Sequence, residues 1–206
     1  MSQTLEPIST ILTLPDEMAA RRKRWTRDEC RALVAEGRLE AGKFELIDGE
    51  IIHKMGQNPQ HVLVVMLVLR VLTRLFGFEF VQTQGPVVVD EASEPEPDAA
   101  VVARPLSDYL SLGTPPASDV RLAVEVPDST LREDLTIKAT LYARAGISEY
   151  WIVNLPERRL EVYRAPGDAG YASRTVFAAG EAVSPLAAPD AAVAVSDLLP
   201  PPLPAA

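Results

Sequence analysis

The stretch VRLAVEVPDSTLREDLTIKATLYARAGISEYWIVN, residues 120–154, decides the fold of this chain. Apolar residues alternate in its first part and predict a β-strand at 120–126. The middle part predicts an α-helix at about 133–145, which Gly146 ends as a C-cap. A second apolar strand is predicted at 149–154. A strand, a helix and a strand in close succession indicate a mixed α/β domain, with one sheet and helices packed on it.

Capping and turn signals predict the elements on either side of this unit. Thr26 is predicted to cap a helix to about Glu36, with Glu29 completing a capping box. Asp48-Gly49 is the strongest short hairpin signal, and Asn58-Pro59 opens a second long helix. The predicted elements outside 120–154 are a helix at 26–36, hairpin strands at 44–47 and 50–54, a helix at 59–76 closed by Gly77, and strands at 78–83, 86–90, 99–103, 159–164 and 171–177.

Length and composition fit one globular domain. The chain has 206 residues, of which 47% are hydrophobic and 24% charged, and this balance excludes a disordered chain. Its one cysteine, Cys30, excludes a disulfide framework and a cysteine-based zinc site, and suits the reducing cytoplasm that we expect. We expect a poorly ordered arm at 1–24, one folded domain at 25–198 and a proline-rich tail at 199–206. The longest apolar run, at 62–69, predicts no membrane span, and no targeting segment is evident.

The charge distribution restricts the partners that the chain can bind. The formal charge is −9, from 29 acidic and 20 basic residues, which argues against a protein coated in positive charge for duplex DNA. The excess is local, because residues 86–119 carry seven acidic side chains and one basic one while residues 1–85 are balanced. Part of this acidity surrounds Asp98, where a bound cation would screen it. Without a broad basic face, this chain alone is not expected to bind duplex DNA tightly, and a metal, a partner or a second subunit would have to supply any such attraction.

Two carboxylates and a lysine form the candidate site. Glu125 lies among apolar residues of an interior strand, where a carboxylate is costly unless it is paired or bound to a metal. Asp98 follows a proline and opens the strand at 99–103. Lys138 falls inside the buried arc of a helical wheel drawn for 133–145, with Asp134 beside it. Oxygen ligands suit Mg²⁺, with Mn²⁺ as a substitute, and a nearby lysine can stabilise or activate a nucleophilic water.

Several of these residues also have a purely structural interpretation. Lys138 and Asp134 could form an i,i+4 ion pair at the margin of the apolar stripe. His61 points inward from its helix, and a satisfied core histidine is a commoner explanation than a catalytic one. Glu45 alternates with Phe44 and Leu46, but one face of a hairpin strand is usually just solvated.

Six blocks of this sequence, taken in order, resemble the Uma-type restriction endonuclease family of the PD-(D/E)xK nuclease-like superfamily. The resemblance covers about Thr26 to Val195, and the last block is the most specific. The blocks are Phe44-Glu-Leu-Ile-Asp-Gly-Glu-Ile, His61, Glu96-Pro-Asp98-Ala-Ala-Val-Val, Leu122-Ala-Val-Glu125-Val, Asp134-Leu-Thr-Ile-Lys138 and Tyr142-Ala-Arg-Ala-Gly-Ile-Ser-Glu-Tyr-Trp-Ile-Val.

The resemblance implies a restriction-endonuclease-like mixed β-sheet core flanked by helices. It implies that Asp98 and Glu125 are metal ligands and that Glu45 is a supporting acid. The superfamily lysine usually stands two residues after the strand acid, and this chain has Pro127 there, so the resemblance implies that Lys138 has taken over the role. The turn that follows, Asp128-Ser129-Thr130, is close to the family's serine-rich turn, and Asp128 adds a carboxylate. Duplex cutters of this fold often work as homodimers.

The predicted function is therefore a divalent-metal-dependent endonuclease that hydrolyses DNA phosphodiester bonds. Asp98 and Glu125 would hold the metal, Lys138 would orient or deprotonate water, and Glu45 would support the ligands. The alternative is a catalytically silent interaction module that keeps the fold, in which Lys138 and Asp134 pair with Glu125 as a structural buried network. Glycoside hydrolysis by two carboxylates is a weaker match, because an aromatic content of 6% provides few platforms for sugar stacking.

Overall fold

A six-stranded mixed β-sheet is the centre of the molecule in the computed structural model, which describes residues 22–54, 56–127 and 132–201. Its strands follow one another across the sheet in chain order, and β5 and β6 form its parallel pair while the other neighbours are antiparallel. The strands are β3 (Val81–Thr83), β4 (Ala99–Val102), β5 (Val120–Glu125), β6 (Glu149–Asn154), β7 (Arg159–Arg164) and β8 (Ser173–Ala178).

Four α-helices and two strand pairs surround this sheet in the described part of the chain. The hairpin β1–β2 precedes the sheet, and the short pair β9–β10 follows it. The helices are α1 (Arg27–Ala35), α2 (Pro59–Phe76), α3 (Tyr109–Leu112) and α4 (Arg132–Arg144), and the strands are β1 (Phe44–Ile47), β2 (Glu50–His53), β9 (Ala182–Val183) and β10 (Val193–Ala194). Helix α4 makes the crossover between the parallel strands, as such a connection requires.

The two faces of the sheet pack on different helices. One apolar cluster joins α2 and the carboxyl-terminal segment to the face that carries Leu122 and Val124. The other joins α4 to the face that carries Ala123, through Tyr142 and other residues. The alternation predicted for β5 is therefore confirmed, and Glu125, two residues after Ala123, projects towards α4.

Helix α2 carries much of the core. It is 18 residues long with a mean hydropathy of 1.5, so in length and composition it passes for a membrane span. In this fold it lies against the sheet, with Val64, Val68 and Leu72 almost fully buried. Its amino-terminal end is fixed by Asn58, whose side-chain oxygen accepts a hydrogen bond from the His61 backbone N–H at 2.9 Å.

The β1–β2 hairpin is hydrogen-bonded to the acidic segment 86–119. Its turn needs left-handed backbone at Asp48 (φ 47°) and Gly49 (φ 77°), the conformation that makes Asp-Gly a hairpin signal. Gly49 N–H donates to the carbonyl of Ala92 at 2.7 Å, and Leu46 pairs with Glu94 in an isolated bridge. The hairpin is thereby held beside the sheet, with Glu45 in its first strand.

Most predicted elements are confirmed within a few residues, and the strand predicted at 86–90 is wrong. Pro86 has no N–H to donate, and the N–H groups of Val87, Val88 and Val89 donate to loop carbonyls (Pro95, Pro115 and Ser93) instead of to a neighbouring strand. The predicted strand at 78–83 is shortened to β3, since Phe78–Phe80 forms a 3₁₀ turn.

The ends of the described chain are in contact with the domain. Residues 22–24 were predicted to lie in a disordered arm, yet Arg22 pairs with Glu50 at 2.9 Å and Arg24 with Asp48 at 3.0 Å. At the other end, Leu199 is buried, in the segment predicted to be a tail. Residues 1–21 and 202–206 lie outside the described residues, so the rest of both predictions stays untested.

Glu161 and Glu149 are buried acids with arginine partners. Arg159 and Arg174 donate to Glu161 at 2.7 and 2.8 Å, and Arg164 donates to Glu149 at 2.6 Å. Burial would raise the pKa of Glu161, but the hydrogen bonds from Arg159 and Arg174 outweigh it and lower that pKa to about 2. Glu161 and Glu149 therefore belong to the structural framework. Glu125, another buried acid, has no arginine among its described partners.

Candidate active site

Asp98 and Glu125 meet at the ends of two neighbouring strands. The antiparallel register pairs Ala99 with Val124, so extending it by one residue places Asp98 opposite Glu125. The Asp98 carbonyl accepts a hydrogen bond from the Thr83 hydroxyl at 3.0 Å, which fixes its backbone against β3. Its carboxylate Oδ2 accepts from the Val126 N–H at 2.8 Å. The two predicted metal ligands are therefore held next to each other.

Lys138 lies between Glu125 and Glu45. Its Nζ is 3.0 Å from Glu125 Oε1 and 2.8 Å from Glu45 Oε2, the latter an ion pair whose geometry departs from that of a hydrogen bond. The three side chains are 14%, 9% and 12% exposed for Lys138, Glu125 and Glu45. All three come from different elements (α4, β5 and β1), so only the folded chain brings them together.

The protonation of this cluster follows from its burial and its excess of carboxylates. Burial raises the pKa of Glu125 to about 7 in spite of Lys138, and the charges of Asp98 and Glu45 add to the rise. Burial alone would lower the pKa of Lys138, but the Glu125 and Glu45 carboxylates outweigh it and hold that pKa above its ordinary value. Lys138 is therefore a cation at neutral pH. Glu125 gains or loses its proton near pH 7.

Tyr142 completes the surroundings of Glu125. Its hydroxyl donates to Glu125 Oε1 at 3.1 Å, the same oxygen that Lys138 contacts. The side chain is fully buried, and burial together with the Glu125 charge raises the pKa of Tyr142 well above its ordinary range. Tyr142 is thus a permanent donor that fixes one oxygen of the carboxylate. On the helical wheel it fell in the buried arc as an apolar residue, and its polar role was missed.

His61 lies at Asp98 instead of in the apolar core. Its Nε2 is 3.2 Å from Asp98 Oδ1, and its Nδ1 is 2.9 Å from the Val126 carbonyl. Its inward direction is confirmed, and its Nδ1 is satisfied by a backbone carbonyl as a core histidine requires, but the contact with Asp98 was not predicted. The inward direction of His61 at the start of its helix was the available signal, but nothing in the sequence said which carboxylate it would reach.

The donor set fits a hard divalent cation. Glu45 and Glu125 share the single ammonium of Lys138, and Asp98 lies at the strand end next to Glu125, whereas two arginines neutralise Glu161. No group of three or more His, Cys, Asp and Glu side chains arranged to hold a metal ion occurs within residues 22–54, 56–127 and 132–201. Mg²⁺ usually takes one or two protein carboxylates and fills its other positions with water or phosphate, so Asp98 and Glu125 meet its requirement.

Some predicted neighbours cannot be placed. Asp128, Ser129 and Thr130 lie outside the described residues, and so does the side chain of Asp134. The predicted i,i+4 pair of Asp134 with Lys138 therefore stays a prediction.

Comparisons with known proteins identify the family and the fold of the chain. The family model Uma2, described as "Putative restriction endonuclease", matches residues 16–196 of the chain. The chain belongs to the Uma2 family. Among solved structures, this Uma2 member is similar to a protein from Anabaena variabilis ATCC 29413 described as a putative nuclease of DUF820. The two share 18% sequence identity with a TM-score of 0.65, over 84% of this chain and 96% of the other. That likeness confirms the predicted nuclease-like fold, and no curated protein matches the chain.

Proposed function

We propose that the protein is a divalent-metal-dependent endonuclease that hydrolyses DNA phosphodiester bonds. The observation that carries the proposal is the meeting of Asp98 and Glu125 at adjacent strand ends beside the Lys138 ammonium, 3.0 Å from Glu125. The family and the structural neighbour are both described as nucleases, which agrees with this chemistry.

Asp98 and Glu125 are the residues that would hold the cation, Mg²⁺ or Mn²⁺ as its substitute. When bound, such an ion neutralises charge that develops on a phosphoryl group and lowers the pKa of its water. Hydrogen bonds within the protein orient the two carboxylates before any cation binds. The Val126 N–H orients Asp98, and Tyr142 and Lys138 orient Glu125 through one oxygen.

Lys138 acts in this proposal as a fixed positive charge and hydrogen-bond donor. Because Glu125 and Glu45 keep its pKa above the ordinary value, it carries a proton at neutral pH and is a poor general base. Of the two roles predicted from the sequence, orientation of water and stabilisation of negative charge are therefore preferred over deprotonation. Glu45 is a positioning residue in this proposal, since its Oε2 lies 2.8 Å from the ammonium that also contacts Glu125.

The overall charge of −9 shapes how DNA would be bound. A chain without a broad basic face gains little from releasing counterions of the phosphate backbone. We therefore propose that affinity depends on the bound cation and on a second copy of the chain. Light scattering of the purified protein, with and without DNA, tests the homodimer.

The direct test is cleavage of supercoiled plasmid DNA with Mg²⁺ or Mn²⁺, using Asp98→Asn, Glu125→Gln and Lys138→Met. We expect metal-dependent nicking that each variant reduces at least about 100-fold, the scale of one electrostatic group in such a site. The matched controls are Asp168→Asn and Arg144→Met, which remove exposed charges and should leave cleavage unchanged.

Three results would contradict the proposal. Cleavage that persists in EDTA excludes the metal, and cleavage of RNA in preference to DNA excludes the substrate. A folded wild-type protein that cleaves nothing and binds neither Mg²⁺ nor Mn²⁺ supports the silent interaction module, in which Lys138 and its acids are a structural network.

A further inference from the structure

A cavity of about 410 Å³ lies between helix α4 and strands β6 to β8. Thr136, Ala139 and Thr140 of α4 line one side of it, and side chains of the three strands line the other. Residues 169–171, in the connection from β7 to β8, complete the wall. This volume is within the range of protein sites that bind small molecules.

Helix α4 separates this cavity from the candidate active site. At 100° per residue, Thr136 and Thr140 each lie about 160° around the helix from Lys138. Lys138 contacts Glu125 and Glu45 on its own flank, while the two threonines line the cavity on the other. A ligand in the cavity therefore need not contact the carboxylates of the proposed metal site.

Arg174 brings unused hydrogen-bond donors to the cavity. Its Nε and Nη2 donate to Glu161 at 3.1 and 2.8 Å, and its Nη1 has no protein partner in the described part of the chain. Glu161 also accepts from Arg159 at 2.7 Å, so two guanidinium groups share one carboxylate. Arg159 has Glu157 as a second acid. The Arg174 side chain is 49% exposed, and its positive charge is only partly balanced at the cavity.

Two tyrosine rings line the same cavity. The Arg174 guanidinium lies over the Tyr163 ring, 5.9 Å from its centre. Tyr171 is anchored by its hydroxyl, which donates to the Ile147 carbonyl at 2.8 Å, and by a stacked contact with Tyr150 whose ring centre is 6.2 Å away. A fixed aromatic ring is a surface on which any nucleobase can stack. A guanidinium with free donors close to such a ring suits a phosphate group.

We propose that this cavity binds a nucleoside monophosphate, with the phosphate on Arg174 and the base against Tyr171. The donors of Arg174 and the anchored ring of Tyr171 line one cavity of suitable volume, and this juxtaposition carries the inference. The inference goes beyond the proposed endonuclease activity and does not rest on it. It needs no metal ion, and it uses neither Asp98 nor Glu125.

The test is calorimetric titration of dAMP into the full-length protein in EDTA, with deoxyadenosine and inorganic phosphate as comparison probes. A 5′-phosphorylated oligonucleotide, titrated in parallel, distinguishes the end of a DNA strand from a free nucleotide as the source of the ligand. Arg174→Met removes the free donors, and Glu161 keeps the hydrogen bond from Arg159. Thr140→Trp fills the cavity from α4 and leaves both arginines in place. The matched control is Arg38→Met, which removes an exposed, acid-paired arginine at the end of α1.

We expect dAMP to bind at one site per chain, and deoxyadenosine and phosphate each to bind at least about tenfold more weakly. Arg174→Met and Thr140→Trp, each confirmed as folded by circular dichroism, should raise the Kd for dAMP at least about tenfold, and Arg38→Met should leave it unchanged.

Three results would overturn this inference. The first is a wild type that does not bind dAMP, and the second is phosphate that binds as tightly as dAMP, which shows contact with an anion only. The third is dAMP binding that a folded Asp98→Asn variant loses, because the nucleotide would then occupy the proposed metal site. The proposed function is unaffected by the first two results, since DNA cleavage tests it separately. The wild-type titrations decide even if a cavity variant fails to fold.

Discussion

Replacing Lys138 with methionine should make the stability of the protein depend on pH in a new range. Methionine keeps the length of the side chain and removes the charge that lies 3.0 Å from Glu125 and 2.8 Å from Glu45. The buried Glu125 carboxylate then loses its cationic partner. We expect it to stay protonated to a higher pH than in the wild type, because protonation is the cheaper way to remain buried.

The size of the effect follows from the pKa of Glu125, which folding raises from 4.5 to about 7. Between these values the folded wild type holds a proton that the unfolded chain has released, so the free energy of unfolding falls by about 1.4 kcal/mol per pH unit. Above pH 7 the wild-type curve levels off, since Glu125 is ionised in both states. In Lys138→Met the free energy of unfolding continues to fall above pH 7, because Glu125 still holds its proton in the folded state. The difference in this free energy between the wild type and Lys138→Met should therefore widen by about 2 kcal/mol from pH 7 to 8.5.

The assay is urea denaturation in EDTA at pH 6, 7, 8 and 8.5, followed by tryptophan fluorescence and circular dichroism. Arg144→Met is the matched control, because it removes an exposed cation from the same helix and should change stability by no more than about 0.5 kcal/mol at every pH. A stability difference for Lys138→Met that stays constant between pH 7 and 8.5 would refute the assignment of Glu125 as the titrating partner of Lys138.

Three further substitutions test the structure around the site. Glu161→Gln should flatten the acid side of the stability curve, because the carboxylate with a pKa of about 2 stabilises the fold above pH 4.5 and loses this effect as the pH falls towards 2. Urea denaturation at pH 5 and 3 should show the wild type losing at most about 2 kcal/mol more than the variant between these two points. Tyr142→Phe removes a donor to Glu125 and should cost about 2 kcal/mol at pH 8.5, where Glu125 is ionised, and less at pH 6; an equal loss at both would contradict the contact. Thr26→Ala should cost about 1 kcal/mol through loss of the α1 cap, whereas Thr26→Ser should cost less.

Local signals predicted the parts of the fold that depend on neighbouring residues. The capping box of Thr26 with Glu29 and the hairpin at Asp48-Gly49 each involve contacts a few residues apart, and both are confirmed. The alternation of β5 is of the same kind, since the pleat alone decides which side chains share a face. For this reason the sequence indicated that Glu125 shares a strand face with Ala123 and that Lys138 lies on the buried side of its helix, without any knowledge of the sheet order.

Features that depend on distant contacts were harder to predict. The apolar run Val87-Val88-Val89 has strand-like composition, yet its N–H groups donate to carbonyls of separate loops, which no local pattern encodes. The local partner suggested for Lys138 was Asp134, one turn away on the helix, and Glu125 was suggested only in the alternative of a structural network. The described partners are Glu125 of β5 and Glu45 of β1. Three sheet strands separate Glu45 from the lysine in the chain, so no local pattern could indicate that contact.

His61 shows why the site itself could only be predicted in part. Its helical wheel gave the direction of the side chain correctly, but the apolar residues on the same face favoured an interpretation as a core residue. The ring stops at the margin of that core because Val126 and Asp98 lie beside the first turn of α2. That placement depends on how α2 lies across the sheet, and no local sequence pattern indicates it.

The central claim is that Asp98 and Glu125 together hold one divalent cation, and calorimetric titration of Mn²⁺ and Mg²⁺ into the metal-free protein tests it most directly. The account predicts one site per chain in the wild type and in Asp168→Asn, and no detectable binding in Asp98→Asn or Glu125→Gln, each confirmed as folded by circular dichroism. Binding that both variants retain at wild-type affinity would contradict it.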